Sequence, residues 1–254
     1  MNHDLKKELG NLSVKWKSNS DTEVILNAYI RWGHQCLNKF EGMFSFVIYD
    51  SYEHKLFMTR DRLGKKPLYY YKDNEKLVFS SEVQGLLKLK ILNCSIDEQA
   101  YWDYLTFRYI PGEYTTINKI NKFKPGHFAH VSSNTINIQQ YWKIPLSKEH
   151  AFDTLHSGLI NDFASLFAES VKKRLVSDVP VGMVLSGGID SCAILNEASK
   201  HQEINSYHVY FKNSKFDYNE LKYAKLMAEH VNSRLNLIEI SENDFIDILS
   251  KMSS

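Results

Sequence analysis

The residues best suited to chemistry form a short loop in the second half of the chain. Segment 186–191 reads SGGIDS and follows an apolar run, VGMVL, at 181–185. Gly187 and Gly188 permit a sharp turn in which backbone N–H groups can approach an anion closely. A helix that starts directly after the turn would add its positive end. The spacing therefore predicts a binding site for phosphate.

The three polar side chains of this loop are also compatible with a bound phosphate. Ser186 and Ser191 offer hydroxyl donors. Asp190 would repel a bare phosphate but could bind it through Mg²⁺, which prefers carboxylate and phosphate oxygens. The loop lacks the Gly-Lys-Ser/Thr of a Walker A motif. A second interpretation stays open, a tight strand-to-helix turn in which Asp190 or Ser191 merely caps the helix.

The sequence around the loop alternates between strands and helices from residue 158 onward. Strands separated by helices of this length indicate βαβ units on a parallel sheet. Open α/β sheets bind ligands beside the carboxyl ends of their strands, which is where the loop falls. The pattern predicts strands at 181–185, 204–211 and 234–240, and helices at 159–176, 190–200, 218–231 and 242–251.

The first half of the chain has a different order of predicted helices and strands, which is typical of an α+β fold. Aromatic and β-branched runs separated by polar turns predict an antiparallel meander over 43–80, and a hairpin follows at 126–142. A helix is expected to begin after Ser20, which has capping-box spacing to Glu23. A second helix is expected over 97–110.

The two halves are expected to be separate domains. Segment 144–157 mixes polar and charged residues without a clear period and is interpreted as a linker. We therefore expect an α+β domain over 1–150, followed by an α/β domain over 151–254.

Composition excludes several classes of protein. Lys and Arg number 31 against 30 Asp and Glu, so a net charge of +1 predicts neither nucleic acid nor a membrane surface as a partner. No apolar stretch approaches the length of a membrane span, and the start is too charged for a signal peptide. The three cysteines, Cys36, Cys94 and Cys192, have neither disulfide-framework nor zinc-site spacing. We expect a cytoplasmic protein.

Other charged and polar clusters are interpreted as structural. Residues 60–62, RDR, are expected to form an ion-pair cluster near the meander, and the basic run 172–174 is expected to end a helix on an exposed face. His127 and His130 have HxxH spacing, but residues three apart on a strand face opposite sides, which disfavours a metal site.

The loop and its flanks resemble a known family. The hexapeptide SGGIDS is similar to the pyrophosphate-binding loop, SGGxDS, of ATP pyrophosphatases. The longer segment SVKKRLVSDVPVGMVLSGGIDS resembles the glutamine-hydrolysing asparagine synthetases. In the first half, six segments resemble that family's class II amidotransferase domain and connector, in the family's order: SDTEVIL, LNKFEGMFSFVIYD, RDRLGKKPLYYY, LVFSSEVQGLL, DYLTFRYIP and KPGH.

This resemblance implies a fold and a set of binding residues. The fold would be a partial Ntn-type class II glutamine amidotransferase domain with antiparallel sheets, then a partial Rossmann-like ATP pyrophosphatase domain with a parallel sheet. Asp190 would contact Mg²⁺, Val209 would meet the adenine through its backbone, and Asp21 would bind the amino group of glutamine. Asp21 could equally be an acid suited to the first turn of a helix. The implied ATP-binding residues are Leu185, Ser186, Gly187, Gly188, Asp190, Ser191 and Val209.

The activity implied by the resemblance is asparagine synthesis. ATP and Mg²⁺ would convert aspartate to β-aspartyl-AMP, and ammonia from glutamine would then give asparagine, AMP and pyrophosphate. The small-molecule partners would be glutamine, aspartate and ATP, and the intact protein could be a homodimer. Two alternatives stay open: amidation of another carboxylate, of the surface-polysaccharide or β-lactam type, and a noncatalytic chain that binds nucleotide or associates with an intact synthetase.

The sequence also departs from the family. The family's glutaminase uses an N-terminal cysteine as its nucleophile, whereas position 2 here is Asn2. The family continues beyond the segment that ends this sequence with a second ATP-site segment and a catalytic lysine. From the resemblance we expect a chain truncated at both ends, with no catalytic residue and no activity alone.

Overall fold

The computed structural model describes residues 3–10, 14–132, 135–146, 158–211 and 220–252. The chain divides into two compact units, Met1–Ser147 and Lys148–Ser254. Most of the expected linker, residues 147–157, lies outside the described residues. Within the described ranges, no helix combines the length and the apolar character that crossing a bilayer requires.

The helices of the first unit begin with α1, His3–Gly10. The others are α2 (Asp21–Trp32), a 3₁₀ helix (Gly33–Asn38), α3 (Val83–Leu87) and α4 (Glu98–Phe107). The helix expected over 97–110 is therefore shorter than predicted, because Arg108 adopts a left-handed conformation that ends it.

The start of α2 explains the spacing of Ser20 and Glu23. The Ser20 side chain accepts a hydrogen bond from the Thr22 N–H, as expected of an N-cap. The Glu23 carboxylate reaches further back than a capping box requires and accepts from the N–H groups of Lys17 (2.8 Å) and Ser18 (2.7 Å). The acid therefore fixes the segment that leads into the helix as well as the helix itself.

The strands of the first unit form two antiparallel sheets. One sheet has the order β1-β2-β6-β7 and the other β4-β3-β5, so the expected single meander over 43–80 is wrong. The expected hairpin is confirmed as the β6–β7 pair. The strands are β1 (Ser45–Asp50), β2 (Lys55–Arg60), β3 (Tyr69–Lys72), β4 (Leu77–Ser80), β5 (Ile120–Lys122), β6 (His127–Val131) and β7 (Ile136–Gln140).

The chain leaves the first sheet at a turn that follows β2. The buried Asp61 carboxylate, in a residue only 2% exposed, accepts hydrogen bonds from the N–H groups of Leu63, Lys65 and Lys66 at 2.9–3.2 Å. These bonds tie the turn to one carboxylate, which directs the chain away from β2 and into the second sheet. The bonds are local, yet their effect on strand pairing is not visible in the pattern of apolar residues.

Arg60, at the end of β2, secures the same turn. Its guanidinium group donates to the carbonyls of Gly64, Lys66 and Phe123 at 2.6–2.8 Å. The expected structural role of residues 60–62 holds, but the expectation that their charged groups pair with one another is wrong. The charged groups bind backbone groups, and they hold a corner of the fold.

The second unit contains a three-stranded parallel sheet in the order β10-β9-β8. The expectation of antiparallel sheets followed by a parallel sheet is confirmed. The elements are α5 (Leu159–Arg174), β8 (Gly182–Val184), α6 (Ile189–Ser199), β9 (Asn205–Phe211), α7 (Glu220–His230), β10 (Leu235–Ile240) and α8 (Glu242–Met252).

One apolar core supports this sheet. Val171 of α5, Leu195 of α6 and Ala224 of α7 pack together with Leu185, which directly follows β8. Burial of a Leu side chain contributes about 1.5–3 kcal/mol, so Leu185 is a strong anchor for the chain at the point where the loop begins.

Candidate functional site

The loop 186–191 begins one residue after the end of β8 and includes the first turn of α6. The strand that precedes it is fixed from the neighbouring strand, because the Leu185 N–H donates to the carbonyl of Tyr207 in β9 (2.8 Å). The Leu185 side chain is fully buried. The loop therefore starts from an anchored residue at the carboxyl ends of the parallel strands, which is where α/β proteins bind ligands.

Among the described residues, no side chain caps the helix that follows the loop. The N-cap residue of this helix is Gly188, with φ −70° and ψ 159°, and no described side chain accepts from the first N–H groups of the helix. Asp190 lies inside the first turn of α6. The interpretation that Asp190 or Ser191 merely caps the helix is therefore wrong. The first N–H groups of a helix need acceptors from outside it, which an anion can supply.

Two hydroxyl groups close a ring of hydrogen bonds within the loop. The Gly188 N–H donates to Ser186 Oγ (3.2 Å), and Ser191 Oγ donates to the carbonyl of Gly188 (3.0 Å). The two Oγ atoms lie 3.0 Å apart. Since each hydroxyl has one hydrogen and that of Ser191 is used, Ser186 donates to Ser191. Both hydroxyls are therefore held at the mouth of the loop.

Gly187 is required by the backbone and by its surroundings. Its φ is +95°, a conformation that L side chains rarely adopt. A Cβ at this position would also collide with the main-chain carbonyl of Glu220 and approach the Ala224 nitrogen to 3.1 Å. The loop therefore packs directly against the start of α7.

Asp190 presents its carboxylate at the surface in the first turn of α6. A negative charge is favourable there because it lies near the positive end of the helix dipole. Mg²⁺ is commonly held by one or two protein carboxylates together with phosphate oxygens of a substrate, and Asp190 offers one such carboxylate. The residues present therefore fit a magnesium ion that arrives with a nucleotide.

Val209 lies in β9 and is paired with Ile238 of β10. The side chain is 41% exposed, so the interpretation of an ordinary buried strand residue is wrong. The register pairs Val184 of β8 with Tyr207. Continuing that register two residues puts Val209 opposite Ser186, beside the start of the loop.

His208 was not singled out from the sequence. It is buried, with 5% of its surface exposed, and its Nδ1 lies 2.7 Å from the carbonyl oxygen of Leu185. The available signal was an imidazole at an inward position of an alternating strand, NSYHVYF. A buried polar group of this kind needs a partner, but the sequence alone does not say which one.

Asp21 lies in the first unit, where it is the first residue of α2 and is exposed. Its place in the first turn fits the structural interpretation of an acid that stabilises the helix start. The structure describes a shallow depression of about 390 Å³ in this unit, and Asp21 is not among its lining residues, which are Leu9, Val14, Asn27, Ile30 and Arg31.

The thiols of two described cysteines, Cys36 and Cys94, favour the protonated form. Cys36 is fully buried in the core of the first unit, and this burial raises the pKa of its thiol to about 12. Burial also raises the pKa of the Cys94 thiol above its ordinary value. Cys192 is half-buried against the core beneath α6. Because a thiol that stays protonated at neutral pH is a poor nucleophile, the raised pKa values disfavour Cys36 and Cys94 as nucleophiles.

The histidines flagged by their spacing have separate surroundings. His130 lies beside His34, with ring centroids 6.2 Å apart, while Nδ1 of His127 lies 2.7 Å from the carbonyl of Pro125. Burial, and then the neighbouring His34, lowers the pKa of His130. No group of three or more ligands that could hold a metal ion occurs among the residues the structure describes.

The basic run at the end of α5 is exposed, as predicted. The Lys173 ammonium lies 2.9 Å from the Glu169 carboxylate one turn earlier, and Arg174 donates to the carbonyl of Ser170. Cations in the last turn of a helix are stabilised by its dipole. These contacts account for the run without a ligand.

Two family models match the chain. A model described as a glutamine amidotransferase domain matches residues 2–142, which is more than half of the 254 residues. A model described as asparagine synthase matches residues 162–254.

Curated relatives match over nearly the whole chain. The asparagine synthetase 3 of Bacillus subtilis, glutamine-hydrolysing by its name, is 32% identical over 98% of this chain and 42% of its own length. The asparagine synthetase 1 of the same organism is 30% identical over 98% of this chain and 39% of its own length. The chain therefore spans less than half the length of these two relatives.

A solved structure, the glutamine-dependent NAD⁺ synthetase of Acinetobacter baumannii with ADP, is 13% identical. The match covers 89% of this chain and 56% of that chain, with a TM-score of 0.30, which is too low to support an argument.

Proposed function

This chain belongs to the glutamine-hydrolysing asparagine synthetase family, and on that premise we propose that its second unit binds ATP through the loop 186–191. One observation carries the proposal: a Gly-rich turn at the carboxyl end of a parallel strand leads into a helix whose N-terminus is capped by no side chain of the described residues. The N–H groups of that turn and helix would hold the β- and γ-phosphates, which leave as pyrophosphate, while the Val209 backbone would meet the adenine.

Magnesium enters the proposal through Asp190. When bound, the ion neutralises phosphate charge and so allows a carboxylate to lie beside the nucleotide. The loop itself would make the other contacts with the nucleotide, because Ser186 and Ser191 would donate their hydroxyl hydrogens to phosphate oxygens. Leu185 would supply the fixed point from which the loop is built.

We propose an Ntn-type class II glutamine amidotransferase fold for the domain at 1–150 and a Rossmann-like ATP pyrophosphatase fold for 151–254. Asp21 would bind the amino group of glutamine in the first domain. Burial, and a thiol pKa raised to about 12, make Cys36 a poor nucleophile for the release of ammonia from glutamine.

The reaction proposed for the protein to which this chain contributes is asparagine synthesis. The side-chain carboxylate of aspartate attacks the α-phosphorus of ATP, the bond to the bridging oxygen breaks, and pyrophosphate leaves. Ammonia then attacks the acyl carbon of β-aspartyl-AMP and displaces AMP. Holding the acyl-adenylate where ammonia arrives replaces a slow encounter by a local reaction.

Calorimetric titration of the 254-residue chain with ATP, pyrophosphate and AMP in the presence of Mg²⁺ tests the loop assignment. We expect ATP and pyrophosphate to compete for one site and AMP to bind more weakly, because the loop recognises the two outer phosphates. Ser191→Ala should weaken ATP binding roughly threefold to tenfold, by ~0.6–1.4 kcal/mol.

Ser199→Ala is the matched control for that variant. Ser199 is at the far end of α6, where its hydroxyl donates to the carbonyl of Asn196, so its loss should leave ATP affinity unchanged. If AMP bound as tightly as ATP, or if pyrophosphate did not displace ATP, the loop would not be the binding site for the β- and γ-phosphates. The reaction is tested in the protein to which this chain contributes: mass spectrometry should detect AMP and asparagine formed from aspartate, ATP and ammonium. Glutamate in place of aspartate is the substrate control.

A further inference from the structure

We infer that His208 is a positioning residue for nucleotide binding, an inference that rests on the ATP-binding role proposed above. The imidazole of His208 holds the carbonyl of Leu185 and thereby sets the direction of the first N–H group of the loop. Its contact is with the backbone of Leu185, the residue after β8, so His208 acts on the nucleotide only through the loop.

The hydrogen bond has a defined direction. Nδ1 of His208 lies 2.7 Å from the Leu185 oxygen, and a carbonyl oxygen can only accept. Nδ1 therefore carries the hydrogen and donates it. In the neutral ring this fixes one tautomer, with the hydrogen on Nδ1 and a lone pair on Nε2.

Leu185 is consequently held at three points. Its side chain is fully buried, its N–H donates to the carbonyl of Tyr207, and its own carbonyl accepts from His208. The first two contacts fix the position of Leu185, but neither fixes the rotation of the peptide unit that follows it. The third contact does.

The consequence for the loop follows from the peptide bond. The carbonyl of Leu185 and the N–H of Ser186 belong to one planar unit and point in opposite directions. A donor that fixes the carbonyl therefore fixes the Ser186 N–H as well. This N–H is the first of the loop, and its direction decides whether the following amides converge on one phosphate.

The environment makes the contact strong and costly to lose. His208 is buried on the inward side of β9, and among the described side chains no buried nitrogen or oxygen lacks a partner. Removing the donor would leave the Leu185 carbonyl buried without it. The cheapest remedy for the chain is to rotate that peptide unit toward another donor, which would also turn the Ser186 N–H.

The test compares two variants with a control in the full chain. His208→Leu removes the donor and keeps the bulk, whereas His208→Asn keeps an N–H donor near the place of Nδ1. Ser206→Ala removes a buried hydroxyl on the same side of β9, bonded to Ser233 Oγ (2.6 Å) and two residues further from the loop. Titration with Mg²⁺ and ATP should give affinity about tenfold weaker for His208→Leu and close to wild type for the other two.

Each other outcome of the titration overturns the inference. Unchanged affinity in His208→Leu would mean that the contact does not position the loop. An equal loss in His208→Asn would mean that the donor is not what matters, and an equal loss in Ser206→Ala would mean that any destabilisation of β9 weakens binding. Urea unfolding of each variant separates loss of fold from loss of affinity.

A second measurement stands apart from nucleotide binding. Long-range ¹H–¹⁵N correlation of the wild-type imidazoles should report His208 with its hydrogen on Nδ1, and a hydrogen on Nε2 alone would overturn the inference. If wild type binds neither ATP nor pyrophosphate, the proposed function fails by itself. Amide hydrogen exchange at Ser186 then decides the positioning role, because His208→Leu should speed it and His208→Asn should not.

Discussion

The main-chain carbonyl of Glu220 occupies the space that a side chain at Gly187 would need. Glu220 is the first residue of α7, so the turn at Gly187 is packed against the end of a helix that comes more than thirty residues later in the chain. The packing leaves no room for any residue larger than glycine. The shape of the loop therefore depends on where α7 begins.

Replacing Gly187 by alanine should damage both the fold and nucleotide binding. The residue has φ +95°, which is strained for alanine by about 1–3 kcal/mol, and the new methyl group would also displace α7 or the loop. We expect a lower urea midpoint with an unchanged slope, together with loss of measurable ATP binding. Urea unfolding and calorimetric titration provide the two measurements.

Gly188→Ala is the matched control for that variant. Gly188 has φ −70°, and among the described atoms a Cβ there would meet only Ser186 Oγ, at 3.4 Å. Its stability should stay within about 0.5 kcal/mol of wild type. Equal damage in the two variants would mean that the loop tolerates no side chain at all, and that contact with α7 is not the reason for Gly187.

Asp190→Ala should remove the magnesium dependence of nucleotide binding and leave the fold intact. The side chain is exposed in the first turn of α6, so its loss changes little in the core. ATP affinity should fall at least about tenfold, by ~1.4 kcal/mol, in Mg²⁺, and should approach the affinity measured with EDTA. Titrations with and without Mg²⁺ measure the difference.

Asp162→Ala serves as the control for Asp190, because Asp162 is also an acid in the first turn of a helix, α5. It should bind ATP as wild type does in both conditions. An Asp190→Ala variant with unchanged affinity in Mg²⁺ would remove Asp190 from the site.

The candidate loop could be predicted because its signals are local. The apolar run before Ser186, the two glycines and the apolar spacing after Ser191 lie within eighteen residues, and each fixes its own part of a strand–turn–helix. The parallel sheet followed in the same way from alternating elements. These are the features for which sequence spacing and spatial neighbourhood coincide.

The remaining features depend on contacts between distant segments. The sheets of the first unit separate because Arg60 and Asp61 bind backbone groups of the following turn and of Phe123, and nothing in the apolar pattern shows this. The partner of His208 is Leu185, which follows β8 and lies twenty-three residues earlier in the chain. A sequence states that such polar groups need partners, whereas the fold decides which ones they receive.

We expect the stability of the first unit to depend on pH through the Glu23 carboxylate. Hydrogen bonds from the Lys17 N–H and the Ser18 hydroxyl lower the pKa of Glu23 below its ordinary value of 4.5. The folded state thus favours the ionised form of Glu23. The resulting contribution to the free energy of unfolding is fully present above pH 4.5, and it is lost as the pH falls through the lower pKa of the folded state. Glu23→Gln should be less stable than wild type at neutral pH, and the gap should shrink in acid.

Thermal unfolding of both proteins from neutral pH down to acid measures that gap. Glu203→Gln controls for the loss of one negative charge at an exposed position outside α2. A gap that stays constant through the acid range would show that the hydrogen bonds to Glu23 do not depend on its charge.

Cys36 should resist alkylation in the folded chain, and the reason bears on the chemistry of the first unit. Its thiol is fully buried and has a pKa raised to about 12, so on the order of one thiol in 10⁴ to 10⁵ is ionised at pH 7.5. Cys94 and Cys192 are only half-buried. Mass spectrometry after brief iodoacetamide treatment should find label on Cys94 and Cys192 first, and on Cys36 only after unfolding in urea. Rapid native labelling of Cys36 would instead place a thiolate within reach of solvent, and a cysteine nucleophile in this unit would have to be reconsidered.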